Sequence, residues 1–173
     1  MIYRKFINLV EDHSELLTQN WIHIIRNNPC TGGYKNLPYD ILHGRIFDVY
    51  NRLGDWISDD ENSFAKTARH FMMLGRERHH EGLKSSEVIY ALQAARENVW
   101  RYVMNSGIIN NTLEIHQALE FYERIVVFFD KACYYVVLGY ESIHLSDEEA
   151  FKKGGFFDKT VNSLFKWLIP AEH

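Results

Sequence analysis

Two pairs of side chains in this sequence have the spacing of a helical metal site. Glu77 with His80, and Glu141 with His144, each form the pattern Glu-x-x-His. Residues three apart lie on the same face of a helix. A di-metal carboxylate bundle needs two such pairs and two further glutamates that all point to the bundle centre. Because both pairs fall at the ends of predicted helices, we assign no metal ligand and keep a di-metal carboxylate bundle as an alternative hypothesis.

A single histidine could also serve as the axial ligand of a haem. His70 lies between Ala68 and Phe71, and His116 is flanked by Ile115 and Leu119. Either ring could reach an apolar pocket, although a histidine at the edge of an apolar stripe is more often a partly buried structural residue. We therefore assign no cofactor, and a haem-binding gas or redox sensor remains an alternative hypothesis.

Two places carry the residue types of a small-molecule site. Arg96 and Trp100 are four residues apart on a predicted helix, where an arginine beside an aromatic ring can hold an acidic ligand by charge and stacking. Arg76 and His80 belong to the basic run "GRERHHEG", near the junction of two predicted helices. We predict that Arg76, His80, Arg96 and Trp100 contact a ligand, and we predict no catalytic residue.

The elements that must position these residues are all helices. Apolar residues recur at helical spacing, and no alternating strand pattern or internal repeat is present. Gly82 stands where a left-handed residue would end a helix, and Pro38 suits a first helical turn. The fold class is therefore predicted to be all-α, with five main helices and a short C-terminal amphipathic helix. The main helices are predicted at about 2–27, 38–56, 63–81, 85–107 and 112–145.

The fifth helix is apolar on two neighbouring stripes. One stripe contains Leu119, Tyr122 and Val126, and the other follows one position away. A surface helix of a monomer needs only one apolar stripe, and a second copy of the same helix can cover the other in a twofold dimer. We predict a homodimer. The residues assigned to its interface are Phe121, Ile125, Phe128, Ala132 and Tyr135.

Composition excludes several other classes of protein. The chain has 173 residues, 46% of them hydrophobic, and a formal charge of −4, so no basic surface for a nucleic acid is expected. The apolar run from Ile125 to Tyr140 is interrupted by Asp130 and Lys131, so we expect no stable membrane insertion. The N-terminal apolar run soon meets acidic residues, which is not the pattern of a signal peptide. Only two cysteines are present, and a cytoplasmic location is expected.

Three stretches of the sequence resemble a known family. They are "LGRERHHEGLKSSEVIYALQAARENVW" (Leu74 to Trp100), "NPCTGGYKNLPYDILHGRIFDVYNRLGDWI" before it and "ALEFYERIVVFFDKACYYVVLGYE" after it. The pattern is similar to the N-terminal domains of RsbT co-antagonist (RsbRD-type) regulators of bacterial stress signalling, over about residues 10 to 141. The resemblance implies a globin-like domain without haem that dimerises through its final helices and acts as a sensor.

These observations together predict a non-enzymatic, dimeric sensory domain. Residues 1–145 are predicted to form the globin-like sensor domain and residues 146–173 a C-terminal helical tail. The resemblance implies a sulfate-transporter-and-anti-sigma-antagonist (STAS) domain protein or a kinase as the downstream partner. The ligand is not predicted.

Overall fold

The N-terminal part of the chain, in a computed structural model, is a pair of helices joined at His13. The structure describes residues 3–58, 61–146, 148–150 and 152. Helix α1 spans Arg4–Asp12 and α2 spans Ser14–Arg26. The sequence predicted one continuous helix here, but His13 leaves the helical conformation with φ −116° and ψ 21°. Its Nδ1 donates a hydrogen bond to the Leu9 carbonyl at 2.8 Å, so the break is stabilised by the side chain itself.

A 3-10 helix over Pro29–Tyr34 connects this pair to the next helices. Helix α3 spans Tyr39–Asn51 and the short α4 spans Leu53–Trp56. The sequence predicted a single helix for this region as well, and the structure interrupts it at Arg52. Pro38 stands directly before α3, as its fixed φ and missing N–H predict.

Three long helices complete the domain. Helix α5 spans Glu61–His80, α6 spans Ser85–Asn105 and α7 spans Thr112–Glu141. Asn111 caps α7 by accepting a hydrogen bond from the Glu114 backbone N–H at 3.0 Å. After α7, Ser146 and Glu149 form a capping box: the Ser146 N–H donates to the Glu149 carboxylate at 3.0 Å, and the Glu149 N–H donates to Ser146 Oγ at 3.4 Å. The predicted final amphipathic helix lies outside the described residues.

Helix α6 is joined to the N-terminal helices α2 and α3 by buried hydrogen bonds. Asn98 on α6 donates to the Leu17 carbonyl of α2 at 2.8 Å and to the Tyr50 hydroxyl of α3 at 3.2 Å. Trp21 on α2 donates from its ring N–H to the Ala91 carbonyl at 2.8 Å. Buried polar groups satisfied in this way fix the relative positions of the helices that carry them.

Helices α5 and α7 approach each other closely. A Cβ atom at Gly75 would lie 2.3 Å from the Val136 carbonyl oxygen, and one at Gly139 would lie 2.3 Å from the Met72 carbonyl oxygen. Only glycine allows this separation, because the two backbones touch at the crossing. The described residues are helical with no strand, so the predicted all-α class is confirmed. None of the helices searched among them combines the length and apolar character needed to cross a bilayer.

Candidate functional site

The segment between α5 and α6 is a turn that ends α5. Gly82 has φ +80°, its N–H bonds to the His79 carbonyl, and the Leu83 N–H bonds to the Arg78 carbonyl, both at 3.0 Å. This pair of bonds is the Schellman motif. The predicted role of Gly82 in ending the helix is confirmed, and the basic residues around it are placed on the last turns of α5.

Two hydrogen bonds link the end of α7 to α5 and to the turn that follows it. Arg76 donates from Nη2 to the Leu145 carbonyl at 2.7 Å. The Tyr140 hydroxyl donates to the Leu83 carbonyl at 2.8 Å. The end of α5 and the chain that leaves α7 are therefore joined by hydrogen bonds from both sides.

A partly buried cluster of charged and aromatic side chains lies at the end of α5. We define it as Tyr34, Arg45, Arg78 and Glu81. Glu81 accepts from Arg45 of α3 at 2.5 Å and from Arg78 of α5 at 2.9 Å. The Arg45 guanidinium also lies over the Tyr34 ring, 5.5 Å from its centroid. One carboxylate thus joins two arginines that come from different helices.

The electrostatics of the cluster follow from its burial. Burial raises the pKa of Tyr34 to about 12, although the charges of Arg45 and Arg78 act in the opposite direction. Burial lowers the pKa of Arg45, and the neighbouring positive charge of Arg78 lowers it further. Arg45 and Arg78 therefore repel each other, and Glu81 compensates this repulsion.

The 3-10 helix that carries Tyr34 is fixed by Glu87 of α6. Its carboxylate accepts from the Gly33 N–H at 2.7 Å and from the Lys84 N–H at 3.0 Å. Burial raises the pKa of Glu87, but these two hydrogen bonds outweigh it, and the net pKa is lowered. Glu87 is therefore ionised at neutral pH and holds the edge of the cluster in place.

The four predicted ligand residues lie on two helices, Arg76 and His80 on α5 and Arg96 and Trp100 on α6. Arg76 contacts the chain after α7, as described above, and His80 is exposed at the end of α5. Arg96 forms an ion pair with Asp130 of α7 at 2.9 Å. Trp100 packs on Tyr122, with ring centroids 4.5 Å apart. Each of the four therefore has structural contacts or a surface position of its own.

Arg96 also lines an open groove of about 460 Å³ along α6. Ile24, Tyr90 and Ala94 supply apolar surface to this groove, and Asn98 lies in its wall. Trp100 does not line it. Both polar and apolar side chains line the groove, so its lining does not identify a particular ligand or reaction.

The residues predicted for the dimer interface lie elsewhere than expected. Phe121, Ile125, Phe128, Ala132 and Tyr135 are all buried in the core of the single chain. They face α5 and the N-terminal helices; Phe121, for example, stacks on Phe6 at 5.6 Å. These five side chains are covered by their own chain and are not available to a second copy.

The apolar stripe of α7 beside the buried one is partly exposed. Its exposed fractions are 49% for Ile115, 54% for Leu119 and 37% for Val137. Val126 and Cys133 lie between them and are half-buried. We call these five residues the outward face of α7. They recur at spacings of four and seven residues, so they lie along one side of the helix.

The alternative cofactor sites are not assembled among the described residues. No three His, Cys, Asp or Glu side chains of that part of the chain come together as a metal site. His70 lies against Trp56, with ring centroids 5.0 Å apart. Phe71 and Phe128 also pack on Trp56, so aromatic rings fill the inner side of His70. His116 is exposed.

Sequence reasoning missed the charge cluster. Arg78 and Glu81 are three residues apart, and this spacing could have indicated an ion pair on one helix. Arg45 and Glu81 are 36 residues apart in the sequence. No local signal relates them, because their contact depends on how α3 packs against α5.

The fold and these sites define a class of protein: an all-α domain in which the described polar side chains form hydrogen-bond and ion-pair networks between helices. The family model of the RsbT co-antagonist protein rsbRD N-terminal domain matches residues 17–147. The chain belongs to this family, as the resemblance predicted, and membership implies a signalling role in the stress response. No curated protein and no solved structure matches the chain significantly.

Proposed function

We propose that this chain is a non-enzymatic sensory domain that works as a homodimer through the outward face of α7. Family membership supports the signalling role. The observation that carries the dimer is the continuous apolar stripe on α7, which leaves Leu119 more than half exposed. Contiguous exposed apolar surface on a folded domain marks an interaction site.

A twofold dimer suits the shape of this face. An isologous contact presents the same patch on both subunits, and a helix of 30 residues offers a straight stripe for that purpose. Asp130 is on the same side of α7 and is held by Arg96 of α6. This ion pair would lie at the edge of the contact, where it would help to define the register of the two copies.

The signal would be passed by a change in how the two copies pack. A ligand or partner that binds one packing more tightly than another shifts the population toward it. Arg76 of α5 donates to Leu145 in the chain after α7, and Tyr140 of α7 donates to Leu83 in the turn after α5. A change around α5 would therefore reach the chain that follows α7. A STAS-domain protein or a kinase is the proposed recipient, and the cytoplasm the proposed location.

The dimer is tested by single charge substitutions on the outward face. Leu119→Glu and Val137→Glu should each convert the dimer to a monomer, because a carboxylate would be buried without a partner. Both side chains are exposed in the single chain, so the helical content should not change. Light scattering coupled to size exclusion gives the mass, and circular dichroism gives the helical content.

Leu16→Glu is the matched control. Leu16 is an exposed leucine of α2, with 44% of its surface accessible, and it lies away from α7. This variant should remain dimeric. A monomeric native protein at micromolar concentration, or dimers of unchanged strength in both α7 variants, would contradict the proposed interface.

A further inference from the structure

The charge cluster contains hydrogen-bond donors that the protein does not satisfy. Arg45 Nε and Nη1 are both fully buried and have no hydrogen-bond partner. The Arg45 side chain is only 7% exposed. A buried donor without an acceptor costs free energy, and a guanidinium cannot reduce this cost by losing its proton.

The two arginines of the cluster have few carboxylates close to them. Arg45 and Arg78 share the carboxylate of Glu81. Glu77 approaches Arg78 at 3.6 Å, but its side chain is 63% exposed and lies on the solvent side. Glu87 is occupied by the Gly33 and Lys84 N–H groups. Two buried arginines therefore have one close acceptor between them.

Access to the cluster is provided at the Glu81 carboxylate, which is 39% exposed. A small solute that reached Arg45 from this rim would compete with Glu81 for the guanidinium. The Tyr34 hydroxyl, on the ring that Arg45 covers, is a further donor within the cluster. Two guanidinium groups favour a small, negatively charged hydrogen-bond acceptor.

We infer that Tyr34, Arg45 and Arg78 form a binding site for a small inorganic oxyanion of the phosphate or sulfate class. The oxyanion accepts hydrogen bonds from the donors of Arg45 that the protein leaves free, and its charge balances the two guanidinium groups. Arginine suits this ligand because its N–H groups match the geometry of phosphate and sulfate oxygens. Interpreting the anion as the sensed signal rests on the proposed sensory function, whereas the binding itself does not.

The site is tested by calorimetric titration of the whole chain with inorganic phosphate, at constant ionic strength set by sodium chloride. Wild-type protein should show saturable binding of one phosphate per chain. Arg45→Met should abolish it, and Tyr34→Phe should weaken it about two- to tenfold, the usual effect of one hydrogen bond. Glu81→Gln should strengthen it, because the competing carboxylate is removed.

Arg101→Met is the matched control, since Arg101 is an exposed arginine with its own partner, Glu97, at 3.2 Å. It should bind phosphate as the wild type does. No saturable heat, or equal binding by Arg45→Met, would overturn the site and leave water as the occupant of the cluster. If Arg45→Met does not fold, the opposite shifts of Tyr34→Phe and Glu81→Gln decide, and two unchanged affinities would overturn it. A monomeric chain that binds phosphate keeps this site and loses only the proposed dimer.

Discussion

The two cysteines differ in their surroundings, and this difference is measurable at the scale of single residues. Cys30 is exposed, whereas Cys133 is half-buried on the outward face of α7. Burial, together with the charge of Asp130, raises the pKa of the Cys133 thiol to about 11. The thiolate is the reactive form, so Cys133 should react slowly at neutral pH.

Alkylation with iodoacetamide checks this expectation. In the folded chain at pH 8, one thiol should react fast and the other at least tenfold more slowly, since a pKa near 11 leaves only about a thousandth of Cys133 as thiolate. The slow rate should rise steadily as the pH is raised toward 11. The variant Cys30→Ser isolates Cys133; fast labelling of this variant at pH 8 would show that its environment is not the one described.

Residue-level patterns identified the local features correctly and the distant ones poorly. Gly82 was predicted to end α5 because glycine readily adopts the left-handed conformation that ends a helix, and its φ is +80°. The ion pair between Arg45 and Glu81 could not be predicted, because the two residues meet only after α3 and α5 have packed. The hydrogen bond from Arg76 to Leu145 could not be predicted either, because the two residues are 69 apart in the sequence and meet only in the folded chain.

At the scale of helices, the close crossing of α5 and α7 is the most constrained feature. The Gly75→Ala variant should be destabilised by about 1–3 kcal/mol or more, the usual cost of forcing extra volume into a packed core. The added Cβ would collide with the Val136 carbonyl, which belongs to a helix backbone and cannot move aside cheaply. Urea unfolding followed by circular dichroism measures the free energy of unfolding.

Gly44→Ala provides the comparison on another helix. Nothing lies within 4 Å of a Cβ built at Gly44 in α3, so alanine should stabilise the protein by up to about 1 kcal/mol through its higher helix propensity. Equal effects of the two substitutions would mean that α5 and α7 are further apart than the structure places them.

Helix boundaries show how far the sequence could specify the elements. The ends marked by Gly82 and Pro38 were predicted, because each of these residues has a local physical preference for such a position. The breaks at His13 and Arg52 were not, since neither position has a proline or glycine. Both stripes of α7 are apolar, so periodicity alone could not show which stripe the α5 crossing would bury.

At the scale of the whole molecule, the proposed homodimer depends on the outward face of α7. The five residues first assigned to self-contact lie in the core, and the neighbouring stripe is the one that a second copy can reach. A helix with two apolar stripes needs a cover for each of them. The proposed contact with a second copy therefore involves the outward face: Ile115, Leu119, Val126, Cys133 and Val137.

Hydroxyl-radical footprinting at two protein concentrations directly tests whether two copies meet through the outward face of α7. The chain is labelled once where light scattering gives the mass of a dimer and once after dilution to the monomer. Oxidation of Leu119 and Val137 should be several-fold lower in the dimer, while Leu16 and Ile41, exposed on α2 and α3, should be oxidised equally in both. Unchanged oxidation of Leu119 and Val137 in a sample of dimer mass would place the contact between copies elsewhere and contradict the account.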